Sequence, residues 1–243
     1  MAFYEEISKH YDKIFPASQE ALNFYKRLFN EYRVRSVLDA ACGSGEYLRV
    51  FSQWGLRSVG IDLVPGMVAA ANRKSQESGS SFQAIEGSMQ QLSQKVRESF
   101  DAVICMGNSL VHLPSLEDME ESLSEFHRVT NPKGLVLVQI VNYDRILDQN
   151  VKELPTITNP DAELRFVRKY EYDASKKLIH FNTHLTVGEE EYKNSIPLFP
   201  LRKDDLIKLM EKAGYRHMNF YGNFKGEPWT PDSFATIVVG LKA

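Results

Sequence analysis

Cysteine is scarce in this chain: only Cys42 and Cys105 occur among 243 residues. Two cysteines cannot build the disulfide framework of a small secreted domain, so we expect reduced thiols and a cytoplasmic protein. A basic excess is also absent, because 29 Lys and Arg residues stand against 32 Asp and Glu residues, which gives a net charge of −3. This balance argues against binding to the phosphates of nucleic acids, and we predict no nucleic-acid partner.

Long apolar runs are absent as well. The longest, from about Gly134 to Val141, is far shorter than the roughly 20 residues that a membrane-spanning helix needs. The first residues carry neither the basic region nor the apolar core of a signal peptide, so we expect no export and no membrane partner. The content of 43% hydrophobic and 25% charged residues is that of an ordinary globular protein with one or two domains.

Short apolar segments alternate with amphipathic helical segments through the first 143 residues. This alternation predicts an α/β fold, in which a parallel sheet is covered by helices on both faces. A helix that ends at Gly214 is followed by two further strand-like segments. The predicted strands of this sheet are 36–39, 58–62, 82–86, 100–105, 135–141, 215–221 and 233–241.

A different pattern occupies residues 144–200. Segments 164–172 and 177–187 alternate with period two around a polar turn, which is typical of a β-hairpin, and 189–196 is a candidate third strand. We therefore predict that residues 144–200 form an inserted antiparallel cap over the active site. Residues 1–143 and 201–243 are predicted to form the domain that carries this insertion.

The predicted carboxyl ends of the first two strands have features of a cofactor site. Asp39 ends the first strand and precedes a loop that contains Ala41, Gly43 and Gly45, while Asp62 ends the second strand. Glycine lets the backbone approach a ligand closely, and a carboxylate at a strand end can accept hydrogen bonds from a ribose diol. Open parallel sheets bind ligands at this edge, so we expect a nucleoside cofactor there.

The loop also discriminates between cofactors. Leu48 stands where the dinucleotide fingerprint requires its third glycine, which argues against a nicotinamide-dependent oxidoreductase. Asp39 would repel a pyrophosphate, whereas it could anchor an ammonium group. S-adenosylmethionine has an ammonium group, a ribose diol and no phosphate, so we predict it as the cofactor and S-adenosylhomocysteine as the product.

The segment from Val37 to Gly45, which reads VLDAACGSG, resembles motif I of the class I S-adenosylmethionine-dependent methyltransferases. Asp62 corresponds to the ribose-binding acid of that family. The resemblance implies a Rossmann-like, seven-stranded, mostly parallel sheet whose last strand runs antiparallel, with helices on both faces. This fold agrees with the order of strands and helices predicted above.

Further segments resemble the glycine N-methyltransferases. Residues 103–114 (VICMGNSLVHLP) are similar to their ICLGNSFAHLP, residues 142–147 (NYDRIL) to their HRNYD-x-IL, and residues 222–225 (GNFK) to their GDFK. The resemblance implies that Asn108, Asn142 and Tyr143 are substrate-binding residues, and that Asn108 and His112 are catalytic. The cofactor-binding residues that we expect besides the loop and Asp62 are Tyr11, Met67, Ser88, Met89, Met106 and Ser109.

Departures from that family concern the acceptor. Val141 stands where the family has the arginine that binds the carboxylate of glycine, and the family's SYYP tyrosines fall near Leu198–Pro200. A valine cannot form the bidentate pair that fixes a carboxylate, so we expect glycine to be a poor substrate. Arg165 or Arg168, on the predicted hairpin, could replace the missing charge.

The leading hypothesis is in-line methyl transfer from S-adenosylmethionine to a small molecule, at an amine nitrogen. The alternatives are an O-methyltransferase that uses His112 as its base, and a non-catalytic regulator that binds S-adenosylmethionine. No metal site is predicted, because His180 and His184 lack the glutamate of a His-Glu-x-x-His motif. The expected partner is a small-molecule methyl acceptor, and the expected assembly is a monomer or a homodimer.

Overall fold

A computed structural model describes residues 2–242 of the chain. None of the helices within this range is long and apolar enough to cross a membrane. The helices are α1 (Ala2–Ile7), α2 (Tyr11–Ile14), α3 (Gln19–Glu31), α4 (Glu46–Gln53), α5 (Pro65–Ser78), α6 (Leu92–Lys95), α7 (Leu116–Arg128), α8 (Tyr143–Asp148) and α9 (Lys203–Lys212). The strands are β1 (Ser36–Asp39), β2 (Arg57–Asp62), β3 (Phe82–Glu86), β4 (Phe100–Cys105), β5 (Thr130–Val141), β6 (Glu153–Asn159), β7 (Leu164–Asp173), β8 (Leu178–Val187), β9 (Glu190–Leu198), β10 (Tyr215–Tyr221) and β11 (Ala235–Lys242).

Seven of these strands form one sheet in the order β10-β11-β5-β4-β1-β2-β3. The pairs within β1 to β5 are parallel, whereas β11 is antiparallel to both of its neighbours, β5 and β10. The predicted seven-stranded sheet with an antiparallel last strand is therefore confirmed. The central strands are mostly apolar on both sides because helices cover both faces of the sheet.

Two aromatic clusters fill the layers on either side of this sheet. Tyr25 and Phe29 of α3 pack on Phe51 of α4, with ring centroids 5.1 and 5.3 Å from that of Phe51. On the other face, Phe126 of α7 and Met210 of α9 belong to the larger core cluster. Burying each such side chain contributes about 1.5–3 kcal/mol, so these layers hold the strand ends at fixed positions.

The remaining four strands form a second, antiparallel sheet in the order β6-β7-β8-β9. The hairpin predicted within 144–200 is β7 and β8, and the candidate third strand is β9. Strand β6 was not predicted, because Pro155 has no N–H group to donate to a sheet. The strand is accommodated at the edge of the sheet, where its pairing with β7 shifts register between Leu154 and Ile157.

Helices α1 and α2 pack between the two sheets. Phe3, Ile7 and Ile14 are buried in one cluster with Leu164 and Phe166 of β7. The same two helices lie along the edge where the parallel strands of the first sheet end. Three elements therefore meet at the carboxyl edge: the strand ends of the first sheet, one face of the second sheet, and the N-terminal helices.

Candidate active site

Two adjoining cavities lie at the carboxyl edge of the first sheet. The first, of about 360 Å³, is called the Asp62 cavity here and is also lined by Gly43, Met67 and Ser88. The second, of about 370 Å³, is called the Arg168 cavity. Its wall includes Asp39 at one end. The residues that line both cavities are Tyr4, Tyr11, Ala41, Gly107 and His112.

Asp62 fixes the loop that follows β1. Its Oδ2 accepts a hydrogen bond of 2.7 Å from the Gly43 N–H, and its Oδ1 accepts one of 2.9 Å from the Val64 N–H. Burial raises the pKa of Asp62, although these backbone bonds oppose the rise. Each carboxylate oxygen has a further lone pair, so the group can still accept hydrogen bonds from two hydroxyls of a ligand.

The two predicted loop glycines have different surroundings. Gly43 lines the Asp62 cavity with φ +53°, and a Cβ atom there would lie 3.0 Å from Cε1 of Tyr11. Gly45 lies outside both cavities with φ +76°, and its Cβ would lie 2.9 Å from the Cβ of Ala71. The structure therefore packs Gly45 against α5 and does not bring this residue, which was predicted to contact the cofactor, to either cavity.

The far side of the Asp62 cavity is formed by Met67, Ser88, Met89 and Ser109, which were all predicted to bind the cofactor. The Ser109 hydroxyl donates a hydrogen bond of 2.6 Å to the Met106 carbonyl, so it shapes the loop after β4. Met106 itself lines the Arg168 cavity. Met67 and Met89 therefore give this part of the Asp62 cavity apolar surface, and Ser88 and Ser109 give it polar groups.

Asp39 ends β1 in the wall of the Arg168 cavity and is only 2% exposed. Burial raises its pKa to about 7; the hydrogen bond from the Ala41 N–H opposes that rise, and the Asp62 charge adds to it. Within residues 2–242 its carboxylate is paired with no cation. A ligand ammonium group bound here would supply the missing counter-charge.

His112 and Tyr4 meet where the cavities join. The His112 Nε2 lies 3.3 Å from the Tyr4 hydroxyl oxygen, and the two rings pack edge to face with centroids 5.6 Å apart. Burial lowers the pKa of His112 to about 4. The imidazole is therefore neutral at pH 7 and keeps one nitrogen that can accept a proton.

Asn108 lines the Arg168 cavity in a left-handed backbone conformation, with φ +69°. Its Nδ2 donates to the Tyr143 hydroxyl at 2.9 Å, and its Oδ1 accepts from the Val141 N–H at 3.0 Å. These bonds tie the loop after β4 to the end of β5. Each of its polar atoms can make one more hydrogen bond, so the side chain remains able to contact a substrate.

Asn142 and Tyr143 are both fully buried and line neither cavity. The Asn142 Nδ2 donates to the carbonyls of Thr230, Pro231 and Ser233, and its side chain also caps α8. The structure therefore does not bring these two side chains, which were predicted to contact the substrate, to either cavity. Their role is to support the end of β5 and, through Tyr143, the side chain of Asn108.

Arg165 and Arg168 lie on opposite faces of β7. Arg168 lines the Arg168 cavity, whereas Arg165 is exposed on the outer face, beside Lys169 and Lys193. Side chains alternate between the faces of a strand, so residues three apart point in opposite directions. Of the two predicted replacements for the missing charge, the structure brings only Arg168 to the site.

Several lining residues were not predicted from the sequence. Tyr4 comes from α1, and Tyr170 and Phe181 come from the second sheet. Phe224 falls in the segment that is similar to GDFK, and that similarity could have identified it. The aromatic residues of the Arg168 cavity are Tyr4, Tyr11, Phe15, Tyr47, Tyr170, Phe181, Phe224 and Phe234.

Comparisons with known proteins agree with this geometry. Residues 37–134 match a family model described as a methyltransferase domain. Over 210 residues the chain is 29% identical to a glycine/sarcosine N-methyltransferase from Aphanothece halophytica, which covers 83% of this chain and 74% of that protein.

Two solved structures share the fold. An S-adenosylmethionine-dependent methyltransferase from Clostridium acetobutylicum ATCC 824 superimposes with a TM-score of 0.83 at 15% identity, over 99% of each chain. CalS10 from Micromonospora echinaspora, described as an amino pentose methyltransferase with S-adenosylmethionine bound, has a TM-score of 0.76 at 17% identity over 98% of this chain and 97% of its own. The chain therefore carries a methyltransferase domain at residues 37–134, shares its fold with S-adenosylmethionine-dependent methyltransferases, and is similar in sequence to the glycine/sarcosine N-methyltransferases.

Proposed function

We propose that this enzyme methylates the nitrogen of a small amine bound in the Arg168 cavity. The observation that carries the proposal is the junction of the two cavities at Tyr4, Tyr11 and His112. An adenosyl group in one cavity and an acceptor in the other would meet there, out of bulk water. The relative from Aphanothece halophytica, named as a glycine/sarcosine N-methyltransferase, supports nitrogen as the acceptor atom.

The residues present fit S-adenosylmethionine. Asp62 would accept the ribose hydroxyls, Asp39 would pair with the ammonium group, and Met67 and Met89 would enclose the adenine. The strongest sign of fit is Asp39, a buried carboxylate whose raised pKa marks a site that needs a cation. When bound, the cofactor supplies a methyl group that its sulfonium already activates.

The protein then has to position the acceptor and exclude water. Proximity and orientation alone can supply about 7–11 kcal/mol of a reaction barrier. Helices α1 and α2 and the second sheet cover the junction, and they contribute Tyr4, Tyr11 and Tyr170 to its walls. We propose on this basis that residues 144–200 act as a cap on the domain formed by 1–143 and 201–243.

His112 is the polar group best placed to act on the acceptor nitrogen. Because burial keeps its imidazole neutral at pH 7, it can accept a hydrogen bond from the amine N–H and so orient the nitrogen lone pair, while the proton of the methylated product is lost to solvent after release. Tyr4 holds the ring through the contact at 3.3 Å. Asn108, in the same loop after β4, would also orient the acceptor.

The test is a methyl-transfer assay that compares matched amines and alcohols. Enzyme and S-adenosylmethionine labelled in the methyl group are incubated with a panel of amino acids and amino alcohols, and with the hydroxy acids and diols that replace each amine by a hydroxyl. Label should enter the amines, and mass spectrometry of a labelled amino alcohol should place it on nitrogen. Label confined to hydroxyl groups would contradict the proposal and favour the O-methyltransferase.

A further inference from the structure

We propose that the acceptor amine carries a carboxylate, and that Arg168 binds this carboxylate from the second sheet. The inference rests on the proposed function, because it names the class of amine that the same site takes. Arg168 is thereby assigned as the specificity-determining residue for the acceptor.

Arg168 is half-buried among apolar and aromatic groups on the inner face of β7, and its Nε atom is fully buried. It lies between Phe166 and Tyr170 on this face, and its guanidinium carbon is 5.9 Å from the ring centre of Phe166. Across the edge strand it faces Leu154, the residue with which it pairs in β6. These apolar neighbours leave the guanidinium with less solvent than a surface arginine has, and burial lowers its pKa.

Most of the hydrogen-bonding capacity of this guanidinium is unused. Its Nη2 donates to the Pro155 carbonyl at 2.6 Å, while its Nε is buried and has no partner. Arginine has five N–H donors in a planar fork, and a carboxylate can accept two of them at once. An arginine whose fork is largely unpaired and which faces a ligand cavity is a site for such an anion.

Within residues 2–242, no carboxylate of the protein forms an ion pair with Arg168. Asp39 accepts from the Ala41 N–H, and Glu46 is paired with Arg49 and Lys74. A half-buried cation without a counter-charge is stabilised when an anion binds beside it. The cofactor also has a carboxylate, next to the ammonium group that Asp39 would hold in the same cavity. The anion is assigned to the acceptor on the condition that Arg168→Gln leaves the affinity for S-adenosylhomocysteine unchanged, because a cofactor carboxylate on Arg168 would make that affinity fall.

Val141 and Arg168 both line the Arg168 cavity, from different sheets. The first sheet therefore contributes the apolar side chain of Val141 at the end of β5, and the second sheet contributes the positive charge of Arg168. A carboxylate in this cavity would point toward β7, and the substituent next to it would lie against Leu154 and Phe181. The class of acceptor that fits is an amino acid with an apolar side chain.

Equilibrium binding tests the assignment directly. Enzyme loaded with S-adenosylhomocysteine is titrated calorimetrically with glycine, L-leucine and L-phenylalanine, and with the carboxamide of each. The amino acids should bind at least tenfold more tightly than their amides, and L-leucine or L-phenylalanine should bind more tightly than glycine. Charge-assisted hydrogen bonds of about 1.5–3 kcal/mol correspond to about a 10- to 100-fold loss in affinity when the arginine is replaced.

Three variants separate the role of the charge from that of the strand. Arg168→Gln should bind the amino acids about 10- to 100-fold more weakly than the wild-type enzyme does and should bind the amides with unchanged affinity. Arg168→Lys should recover part of the affinity for the acids. Arg165→Gln removes the same charge from the outer face of the same strand and should leave both affinities unchanged. Unchanged affinity for S-adenosylhomocysteine shows that each variant is folded.

The inference is overturned if the wild-type enzyme binds the amino acids and their amides with equal affinity, or if it binds none of the amino acids. It is also overturned if Arg165→Gln reduces the affinity for the amino acids as much as Arg168→Gln does. Methyl transfer to the amides without any dependence on Arg168 would also overturn it, while amine methylation would stand. Binding of the acids through Arg168 without methyl transfer to any amine would support the anion site and contradict the proposed reaction.

Discussion

The hydroxyl of Tyr4 and the Nε2 of His112 lie 3.3 Å apart, although 108 positions separate the two residues in the chain. The contact joins helix α1 to the loop after β4, at the point where the Asp62 and Arg168 cavities meet. Both side chains are partly buried, and the imidazole is neutral at pH 7 because burial lowers its pKa to about 4. The N-terminal helix therefore helps to fix the side chain that we propose acts on the acceptor.

Tyr4→Phe should lower kcat by about 2- to 10-fold, the effect of losing one neutral hydrogen bond of about 0.5–1.5 kcal/mol. The affinity for S-adenosylhomocysteine should change little, since the ring remains. Steady-state kinetics with the best amine of the panel measures the effect. Tyr192→Phe is the matched control, because that hydroxyl contacts Glu190 at the surface. An equal fall in kcat for both variants would show that the Tyr4 hydroxyl has no specific role.

Asp62→Asn should weaken binding of S-adenosylhomocysteine by about 10- to 100-fold, because the ribose loses a charged acceptor worth about 1.5–3 kcal/mol. Isothermal titration measures the change. Asp101→Asn is the control: its carboxylate accepts from the N–H groups of Arg35 and Ser36, at the opposite edge of the same sheet. That variant should lower thermal stability and leave the affinity intact. Normal binding by folded Asp62→Asn protein would exclude the ribose contact.

The affinity for S-adenosylhomocysteine should rise with pH between about 5.5 and 7. Asp39 has a pKa of about 7 without ligand, because burial disfavours its charge, and an ammonium group binds its ionised form. Below pH 7 a proton has to leave on binding, at a cost that grows toward tenfold in affinity per pH unit. Titration in two buffers of different ionisation enthalpy should reveal this proton release. Asp39→Asn should bind more weakly, with a flat profile over the same range.

The same raised pKa affects folding. The folded pKa of Asp39 lies above its unfolded value, so its contribution to stability is fully present below about pH 3.9 and is lost as the pH rises through 7. Asp39→Asn should therefore raise the melting temperature of the ligand-free protein at pH 8. The gain should shrink as the pH falls toward 4. Melting curves that show no gain at pH 8 would contradict the assigned burial cost.

Gly43→Ala should weaken cofactor binding at least tenfold. A Cβ there meets the Tyr11 ring at 3.0 Å, in the wall of the Asp62 cavity, and the residue has φ +53°. Gly55→Ala is the control, since Gly55 has φ +81° and a Cβ there would meet nothing within 4 Å. Both variants bear a backbone strain of about 1–2 kcal/mol, but only the first should change binding. If the two variants bind the cofactor with equal affinity, Gly43 does not contact the bound cofactor.

Much of the first sheet could be predicted because its strands are apolar on both faces and their ends carry distinctive residues. Asp39 and Asp62 each end a buried strand, and parallel strands bring such ends to one edge. Strand β6 could not be predicted, because Pro155 interrupts its pattern and only its edge position makes the proline tolerable. That position depends on pairing with β7, which the local sequence does not encode.

The acceptor side of the site was harder to predict than the cofactor side. Alternation along a strand places Arg165 and Arg168 on opposite faces, but the sequence does not say which face packs toward the first sheet. Asn142 was assigned to the substrate from its similarity to a family motif, whereas its amide is used to hold the chain near Thr230. Tyr4 has no local signal at all, since its partner lies 108 positions away.

Helices α1 and α2 have a kinetic consequence. They supply Tyr4 and Tyr11 to the walls of both cavities, and Ile7 and Ile14 anchor them among buried side chains. If the spent nucleoside leaves through the wall that these helices form, they have to come away from the sheet once in each cycle. Their rate of opening would then set the upper limit of the turnover number, and a faster chemical step would not raise it further.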